Sequence, residues 1–411
     1  MGIVVQKFGG TSVADADRIR TAATKAIAAR DAGHQIAVVV SAMGKTTDEL
    51  EALARQVHDR PPKREMDQLL ATGEQITIAV MAMAIHAAGH EAISFTGPQI
   101  GLKTDDAHTK ARIRAIDSDR IHRELDAGKI VVVAGFQGIS DSGAITTLGR
   151  GGSNASLVAL AAALGAETAE NYTDVDGIFT ADPRIVKTAR KLERISYDEM
   201  LELSSAGAGV LQTRAVEFAK KHDVIIHVRN SQTDLPGTLV GPETPEMEQI
   251  VVSGAALKRN LIRVTFNRVS DEPGVAARIF SDIAAAGISV DDIIQTVNDD
   301  HTADISFTVE DADLVDVRPV IDRLRNRIGG EVHYRDDLCK VSVVGVGMRS
   351  HTGVARLMFE SLADAKVNIE NITTSEIKIS CIIRKEDGPK ALQIIHDAFE
   401  LEKDPSDRSF Q

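Results

Sequence analysis

A ten-residue segment near the end of the chain returns later in the same sequence. Asp271-Glu272-Pro273-Gly274-Val275-Ala276-Ala277-Arg278-Ile279-Phe280 is echoed by Ser350-His351-Thr352-Gly353-Val354-Ala355-Arg356-Leu357-Met358-Phe359, an offset of 79 residues (350 minus 271). The offset holds onward through Ala286 and Ala365, Val290 and Ile369, and Ile293 and Ile372. A fixed offset over this many positions means two copies of one β-turn-α-β unit. Two copies are too few for a solenoid, so they are expected to pack as a pair.

The residues before the repeat have a different rhythm. Residues 3–7, 36–41 and 129–134 read as buried strands, 144–148 as a short one and 224–228 as a late one. Residues 15–30 and 155–164 read as helices, and 66–88 have apolar spacing nearer 3.6 than 2. Such alternation predicts an α/β sandwich with a largely parallel sheet covered by helices on both faces. A connector rich in turn formers begins at Leu235-Pro236-Gly237 and ends at Glu248, which places a domain boundary there. The expected division is 1–236, a linker at 237–248, then 249–335 and 336–411.

Composition narrows the function classes. A chain of 411 residues with 43% apolar and 26% charged residues is an ordinary multidomain globular protein. The longest mainly apolar run, 76–88, holds Thr77 and His86 and is too short to span a bilayer. The first residues lack the pattern of a signal peptide. Two cysteines, Cys339 and Cys381, cannot form a disulfide framework, so a reducing cytoplasm is expected. A net charge of −13, 3% aromatic residues and no Trp argue against a nucleic-acid partner. Small anionic ligands remain compatible with this balance, because glycine loops and helix ends bind them locally.

Two glycine bends carry the chemistry. Val5-Gln6-Lys7-Phe8-Gly9-Gly10-Thr11-Ser12 joins a strand to a helix. Glycines let the backbone turn tightly and approach a ligand, the helix start offers N–H groups and partial positive charge, and Lys7 adds a cation. These features suit a phosphate, although the spacing is neither the Walker A nor the dinucleotide pattern. The same residues also make an ordinary βα turn with a surface lysine. Thr147-Leu148-Gly149-Arg150-Gly151-Gly152-Ser153-Asn154 repeats the arrangement, with Arg150 as cation and Ser153 as hydroxyl. Two such bends in one α/β domain can hold two anionic groups facing each other, as phosphoryl transfer requires. A glycine-rich loop with an Asn or Ser N-cap is the plainer alternative.

Two more segments carry both a functional and a plain reading. In residues 172–184 the carboxylates of Asp174, Asp176 and Asp182 suit ribose or metal-water contacts, or simply cap turns. Glu74, at the entry to a helix, suits a substrate ammonium, or is an exposed surface glutamate.

In order along the chain, these segments resemble the aspartate kinases (aspartokinases) of bacteria. Residues 7–12 are similar to the family's opening signature. Thr72-Gly73-Glu74, Thr96-Gly97, Thr104-Asp105, Gly149-Arg150-Gly151-Gly152-Ser153 and Thr173-Asp174-Val175-Asp176-Gly177 follow in family order. The repeat resembles the tandem ACT domains of these enzymes, with Thr373-Thr374-Ser375-Glu376-Ile377-Lys378-Ile379-Ser380 close to their pattern. The resemblance implies an amino-acid-kinase fold over 1–236 and two ACT domains of βαββαβ form. It also implies ATP-dependent phosphorylation of the L-aspartate side chain to 4-phospho-L-aspartate, the first step toward lysine, threonine, methionine and isoleucine.

By the same resemblance, Lys7, Phe8, Gly9 and Gly10 would hold ATP phosphates. Thr173, Asp174, Phe179, Asp182, Pro183, Arg184 and Gly209 would line the nucleotide. Ser41, Thr47, Glu74, Arg150, Gly151, Gly152 and Ser153 would hold aspartate. Lys7, Arg150 and Asn154 are the expected catalytic set. Mg2+ would accompany ATP, with no protein ligand assigned to it. The acceptor is a carboxylate of pKa about 4, already ionised at pH 7, so no general base is needed. The main demands are alignment and neutralisation of charge on the transferred group.

Two positions depart from the family pattern. Asn154 stands where the family usually has Asp, and Gly209 where it often has Lys. Both changes remove charge from the expected site and predict reduced or altered turnover. Two further readings are therefore carried: a catalytically weakened regulatory paralogue, and a kinase of the same superfamily with another acceptor such as glutamate, acetylglutamate or a nucleotide.

The ACT resemblance implies an amino-acid effector, lysine, threonine or both. It would sit among Asp271, Gly274, Ser289, Val290, Asp291 and Gln295 of the first unit and Asn368, Ile369, Thr374 and Ser375 of the second. A packing module without a ligand is the alternative. The resemblance also allows the units to interleave, the second completed by residues of about 250–266. Pairing between chains would give a homo-oligomer. Met247 sits where some relatives begin a short regulatory subunit.

Overall fold

The computed structural model describes residues 2–409. The chain forms two compact units. The first holds the chain up to Phe179, with Lys191–Ser205 and Gly209–Met247; the second holds Thr180–Arg190, Ala206–Ala208 and the chain from Glu248 onward.

The first unit runs β1 (Ile3–Phe8), α1 (Ala16–Asp31), β2 (Gln35–Val40), α2 (Thr46–Val57), α3 (Lys63–Ala87), β3 (Ala92–Phe95), β4 (Lys103–Thr104) and β5 (Ile113–Ala115). It continues through α4 (Asp119–Asp126), β6 (Ile130–Ala134), β7 (Gln137–Ser140), β8 (Ile145–Thr147), α5 (Gly152–Leu164) and β9 (Thr168–Thr173). It closes with β10 (Arg194–Ser196), α6 (Tyr197–Ser205), α7 (Thr213–Lys221), β11 (Ile226–Asn230) and β12 (Thr238–Gly241).

Among the described residues, eight of these strands form one sheet in the order β10-β12-β11-β9-β1-β2-β6-β3, and four form a second, β5-β4-β7-β8. In the large sheet every neighbouring pair is parallel except β11 with β12. The runs Ile-Ala-Val-Val-Val of β2 and Ile-Val-Val-Val-Ala of β6 are buried throughout, as a parallel sheet covered on both faces requires. Val4, Phe8, Val38, Val40 and Val132 form one core with Ile19 and Ala26 of α1 and Ile78, Met81 and Ile85 of α3. By strand alternation Val5, Lys7 and Val39 point the other way. The buried helix α5 packs on β1, β2 and β9. Among the described residues α3 is the one helix long and apolar enough to cross a membrane, and its Ile78, Met81, Ala82 and Ile85 belong to this core.

The second unit runs β13 (Gly254–Ser270), α8 (Val275–Ala285), β14 (Asp291–Val297), β15 (Thr302–Glu310) and α9 (Leu314–Ile328), then β16 (Glu331–Val344), α10 (Val354–Asp364), β17 (Asn371–Thr374), β18 (Lys378–Arg384) and α11 (Gly388–Ala398). Its strands make one antiparallel sheet, β14-β15-β13-β16-β18-β17. The repeat seen in the sequence is here: α8 and α10 each start from a left-handed glycine, Gly274 and Gly353. The long strands serve both copies. Gly254–Lys258 pairs with the end of β16, and residues 261–267 pair with its beginning and with β15, across register shifts between Lys258 and Arg263.

Three sequence boundaries need correction. The expected linker at 237–248 begins with β12, because Pro236-Gly237 reverses the chain into a hairpin with β11 instead of ending the domain. Residues 180–190, expected in the first domain, belong to the second unit. There Ala181 and Val186 join a core with Val341, Cys381 and Leu392, and Thr180 bonds to His396 and Ala255. The cut at 335/336 falls inside β16.

Where the two copies of the repeat meet, charge is buried. Lys340 on β16 is 2% exposed, and its ammonium meets Asp291 at 2.5 Å and Asp292 at 2.9 Å. Thr308 and Thr373 donate to Asp292 from either copy. Burial alone would raise the Asp291 carboxyl, but the Lys340 hydrogen bond and charge hold it below its ordinary value. Removing one partner of such a pair leaves an uncompensated buried charge. Lys340→Met should therefore destabilise the second unit by about 3 kcal/mol. Asp292→Asn should recover part of that loss in the double variant. Denaturant unfolding of the full chain reads both effects, and an unchanged midpoint for Lys340→Met would contradict this account.

Candidate active site

In an open α/β sheet, ligands gather beyond the carboxyl ends of the strands. Lys7 stands near that end of β1, between Val39 of β2 and Asn171 of β9. It is 8% exposed and has no ion-pair partner within the described residues. Burial lowers its pKa to about 8, with the charge of Asp174 pulling back. Gly9 makes room for the ammonium, since a Cβ there would lie 3.3 Å from Lys7 Nζ. A 3-10 turn, Gly10–Val13, follows and carries the chain toward α1.

The second bend follows β8. Gly149 and Gly151 take φ of 78° and 69°, the left-handed region that favours glycine, and Gly151 caps the start of α5. That helix offers its amino end and Ser153 to the same space. Arg150 is exposed on the bend, and Gln212 donates to its carbonyl. Asn154 is buried in the first turn of α5.

Both bends are tied to the end of β2. Ser41 donates its N–H to the Phe8 carbonyl at 3.1 Å, and its hydroxyl bonds the Ser153 hydroxyl at 2.9 Å. Gly44 N–H bonds the Gly10 carbonyl at 3.0 Å. One residue, Ser41, thus touches the Lys7 bend through its backbone and the Arg150 bend through its side chain.

Glu74 lies behind this junction. It sits well inside α3, is 2% exposed, and its Oε1 accepts the Ala42 N–H at 3.0 Å. The surface-glutamate alternative therefore fails. Its other oxygen is buried with no hydrogen-bond partner. Burial raises the carboxyl to about 7, against the Ala42 hydrogen bond. Thr47 is half-buried in the first turn of α2.

The nucleotide candidates are only partly brought together. Asp174 is exposed at the end of β9 and accepts from the Thr173 hydroxyl. Phe179 is half-buried and bridges to Lys191. The Phe8 ring is fully buried, stacked on Tyr172 at 4.7 Å, so it builds the core. Asp182, Pro183 and Arg184 fall in the second unit, where Arg184 binds the Asp182 carboxylate at 2.9 Å. Gly209 is exposed, with open space where a side chain would start.

One residue escaped the sequence reading. Asn171 is wholly buried, and neither atom of its amide finds a partner. Its signal was a polar residue on β9 in register with Lys7. Ser12 and Glu74 likewise keep an unpartnered buried oxygen. A buried polar group left unpaired costs about 1–3 kcal/mol, so these atoms fit a polar ligand. A cation, a glycine cradle and a helix amino end fit its phosphates; the Glu74 carboxylate fits an ammonium.

The effector candidates surround the sheet of the second unit. Asp271 and Gly274 lead into α8, Ser289, Val290 and Gln295 lie at or on β14, Asn368 and Ile369 precede β17, and Thr374 and Ser375 end it. The Asp291 carboxylate pairs with Lys340 and stays partly exposed.

Glu74 gives a stability test. Its folded pKa of about 7 lies above its ordinary 4.5. The folded state holds this proton more tightly, so stability falls as pH rises from 4.5 to 7, by about 3 kcal/mol in all. Glu74→Gln keeps the acceptor for Ala42 and removes the charge. The variant should match the parent near pH 5 and be the more stable protein at pH 8, measured by denaturant unfolding. A difference independent of pH would contradict the buried-carboxylate reading.

The sequence matches the amino acid kinase family over residues 2–230, and ACT domains over 263–329 and 341–399. It is 50% identical to an aspartokinase of Geobacillus stearothermophilus over 401 residues, 98% of each chain. It is 49% identical to aspartokinase 2 of Bacillus subtilis (strain 168), covering 99% of this chain and 100% of that protein. Among solved structures, E. coli aspartokinase III in complex with aspartate and ADP (R-state) superposes with a TM-score of 0.85 at 26% identity, covering 97% of this chain and 100% of that one. With its buried lysine, its two tied bends and its paired C-terminal repeats, the chain belongs to the amino acid kinase family, among the aspartokinases with ACT domains.

Proposed function

We propose that the chain transfers the γ-phosphoryl group of ATP to the side-chain carboxylate of L-aspartate, giving 4-phospho-L-aspartate and ADP. The observation that carries this reading is the Ser41–Ser153 bond, which draws a lysine bend and an arginine bend to one strand end. Lys7, Gly9 and Gly10 hold the phosphates, with Thr173 and Asp174 beside them. Arg150, Ser153 and Ser41 hold the acceptor, whose amino group pairs with Glu74. Thr47, Gly151 and Gly152 complete that side.

The chemistry follows from charge. A carboxylate oxygen attacks phosphorus, the bond to the ADP oxygen breaks, and no proton need leave the nucleophile at neutral pH. The bends supply alignment, and Lys7 and Arg150 offset charge on the group in flight. Mg2+ when bound offsets further charge on the phosphates. An ammonium beside Glu74 favours the ionised carboxylate, so binding aspartate releases the proton that burial retains.

The product is an activated acyl phosphate, which suits the first step toward lysine, threonine, methionine and isoleucine. We place regulation by lysine or threonine at the ACT pair; for lysine a relative supports it, since E. coli aspartokinase III has been solved in complex with lysine and aspartate and superposes with a TM-score of 0.73 at 26% identity. Asp271, Gly274, Ser289, Val290, Asp291, Gln295, Asn368, Ile369, Thr374 and Ser375 remain the effector candidates. Ile293 and Val297 on β14 and Ile372 on β17 are exposed on edge strands, apolar surface that a second copy would cover.

One assay tests these points: ADP formation and hydroxamate trapping across aspartate, glutamate and acetylglutamate, with and without lysine and threonine. Aspartate-dependent turnover, reduced by at least one of the two amino acids, is expected. Asn154→Asp and Gly209→Lys should raise turnover, since position 209 has room for the longer side chain. No aspartate-dependent turnover in any of these proteins would favour the weakened-paralogue reading instead.

A further inference from the structure

A second buried carboxylate on α3 stands seven residues before Glu74, two helical turns back on the same face. Asp67 is 0% exposed. It accepts the Thr147 hydroxyl at 2.5 Å, His108 Nδ1 at 2.7 Å, and the Thr109 N–H at 3.0 and 3.1 Å. Burying a carboxylate is costly unless it is fully bonded, and here three donors from two different segments meet that demand.

Each donor leads to the arginine bend. Thr147 ends β8 and is followed directly by Leu148-Gly149-Arg150. Its carbonyl accepts the Ala111 N–H at 2.9 Å, so residues 108–111 run alongside it. The Thr109 carbonyl presses on the bend: a Cβ at Gly149 would lie 3.0 Å from it. Arg214 closes the far side, bonding the Leu148 and Ala111 carbonyls at 3.0 Å each. Thr109 itself has φ of 69°, a left-handed conformation unfavourable for a β-branched residue. Strain of this kind persists only where surrounding bonds over-determine it, and the Asp67 carboxylate is the group that holds the Thr109 N–H.

We infer that Asp67, with His108, is a positioning residue for the acceptor side of the site. It touches no reacting atom. It clamps residues 108–111 and β8 together and so fixes where Arg150 and Ser153 stand. Lys7 and Gly9 lie on the other bend and do not depend on this clamp. The inference deepens the proposed function and rests on it.

The test compares Asp67→Asn, His108→Leu and His108→Asn with the parent full-length chain. An Asn at 67 cannot accept from all three donors, and an Asn at 108 restores a donor where ring Nδ1 stands. Displacement of a positioning group by about 1 Å can cost up to 100-fold in rate. Asp67→Asn and His108→Leu should raise KM for aspartate at least tenfold and lower kcat, with KM for ATP changed less than twofold. His108→Asn should recover most of the loss. If Asp67→Asn does not fold, the two His108 variants give the same reading.

A merely structural role would lower the unfolding midpoint while leaving KM for aspartate unchanged in the folded fraction, and that outcome overturns the inference. So would equal rises in both KM values, or no difference between His108→Leu and His108→Asn. Absence of aspartate-dependent turnover in the parent would instead strike the proposed function, and is seen before any variant is made.

Discussion

A lysine ammonium buried near the carboxyl end of a parallel sheet, with no ion-pair partner among the described residues and only the nearby charge of Asp174 to favour it, is the constraint on which this site depends. Lys7 is nine-tenths hidden, and burial has pulled its pKa to about 8. Glu74 is in the mirror situation, buried with one free oxygen and raised to about 7. Each charge is disfavoured alone and relieved by a ligand of opposite sign. On the proposed function, the anion at Lys7 is a phosphate of ATP and the cation at Glu74 is the ammonium of aspartate.

How this arises from the chain is a matter of strand ends. The apolar runs of β2 and β6 force a parallel sheet, and a parallel sheet brings its strand ends and helix starts to one edge. Ser41 and Ser153, 112 residues apart in sequence, meet there because β2 and α5 pack together. The two bends were legible as bends, since glycine clusters between apolar runs have few other uses. Their convergence was not, because it depends on which strands become neighbours.

The misreadings have physical reasons too. Pro236-Gly237 is turn chemistry, and turn chemistry serves a hairpin as readily as a linker. Phe8 sits in a glycine motif, yet strand alternation sends its ring into the core against Tyr172 while Lys7 points to the opposite face. The excursion at 180–190 leaves no local mark, because only distant partners such as His396 reveal which unit it packs in. Glu74 was singled out in the sequence, but helix periodicity alone could not tell a buried face from an exposed one. In the second unit the repeat was plain in sequence, whereas the completion of the second copy by residues near 250–266 was expected only from the family resemblance and is seen in the pairing of β13 with β16. Strand partners, unlike repeats, are set by tertiary pairing.

The central claim is that Lys7 and Arg150 act on one phosphoryl group. Residues that share a partner couple, and residues that act on separate groups add. The direct test is a double-mutant cycle on kcat/KM with Lys7→Met, Arg150→Met and the double variant. The account predicts that the double variant loses clearly less than the sum of the single losses, a coupling of about 1–3 kcal/mol. Strict additivity, within about 0.5 kcal/mol, would mean that the two cations serve different groups and would contradict it.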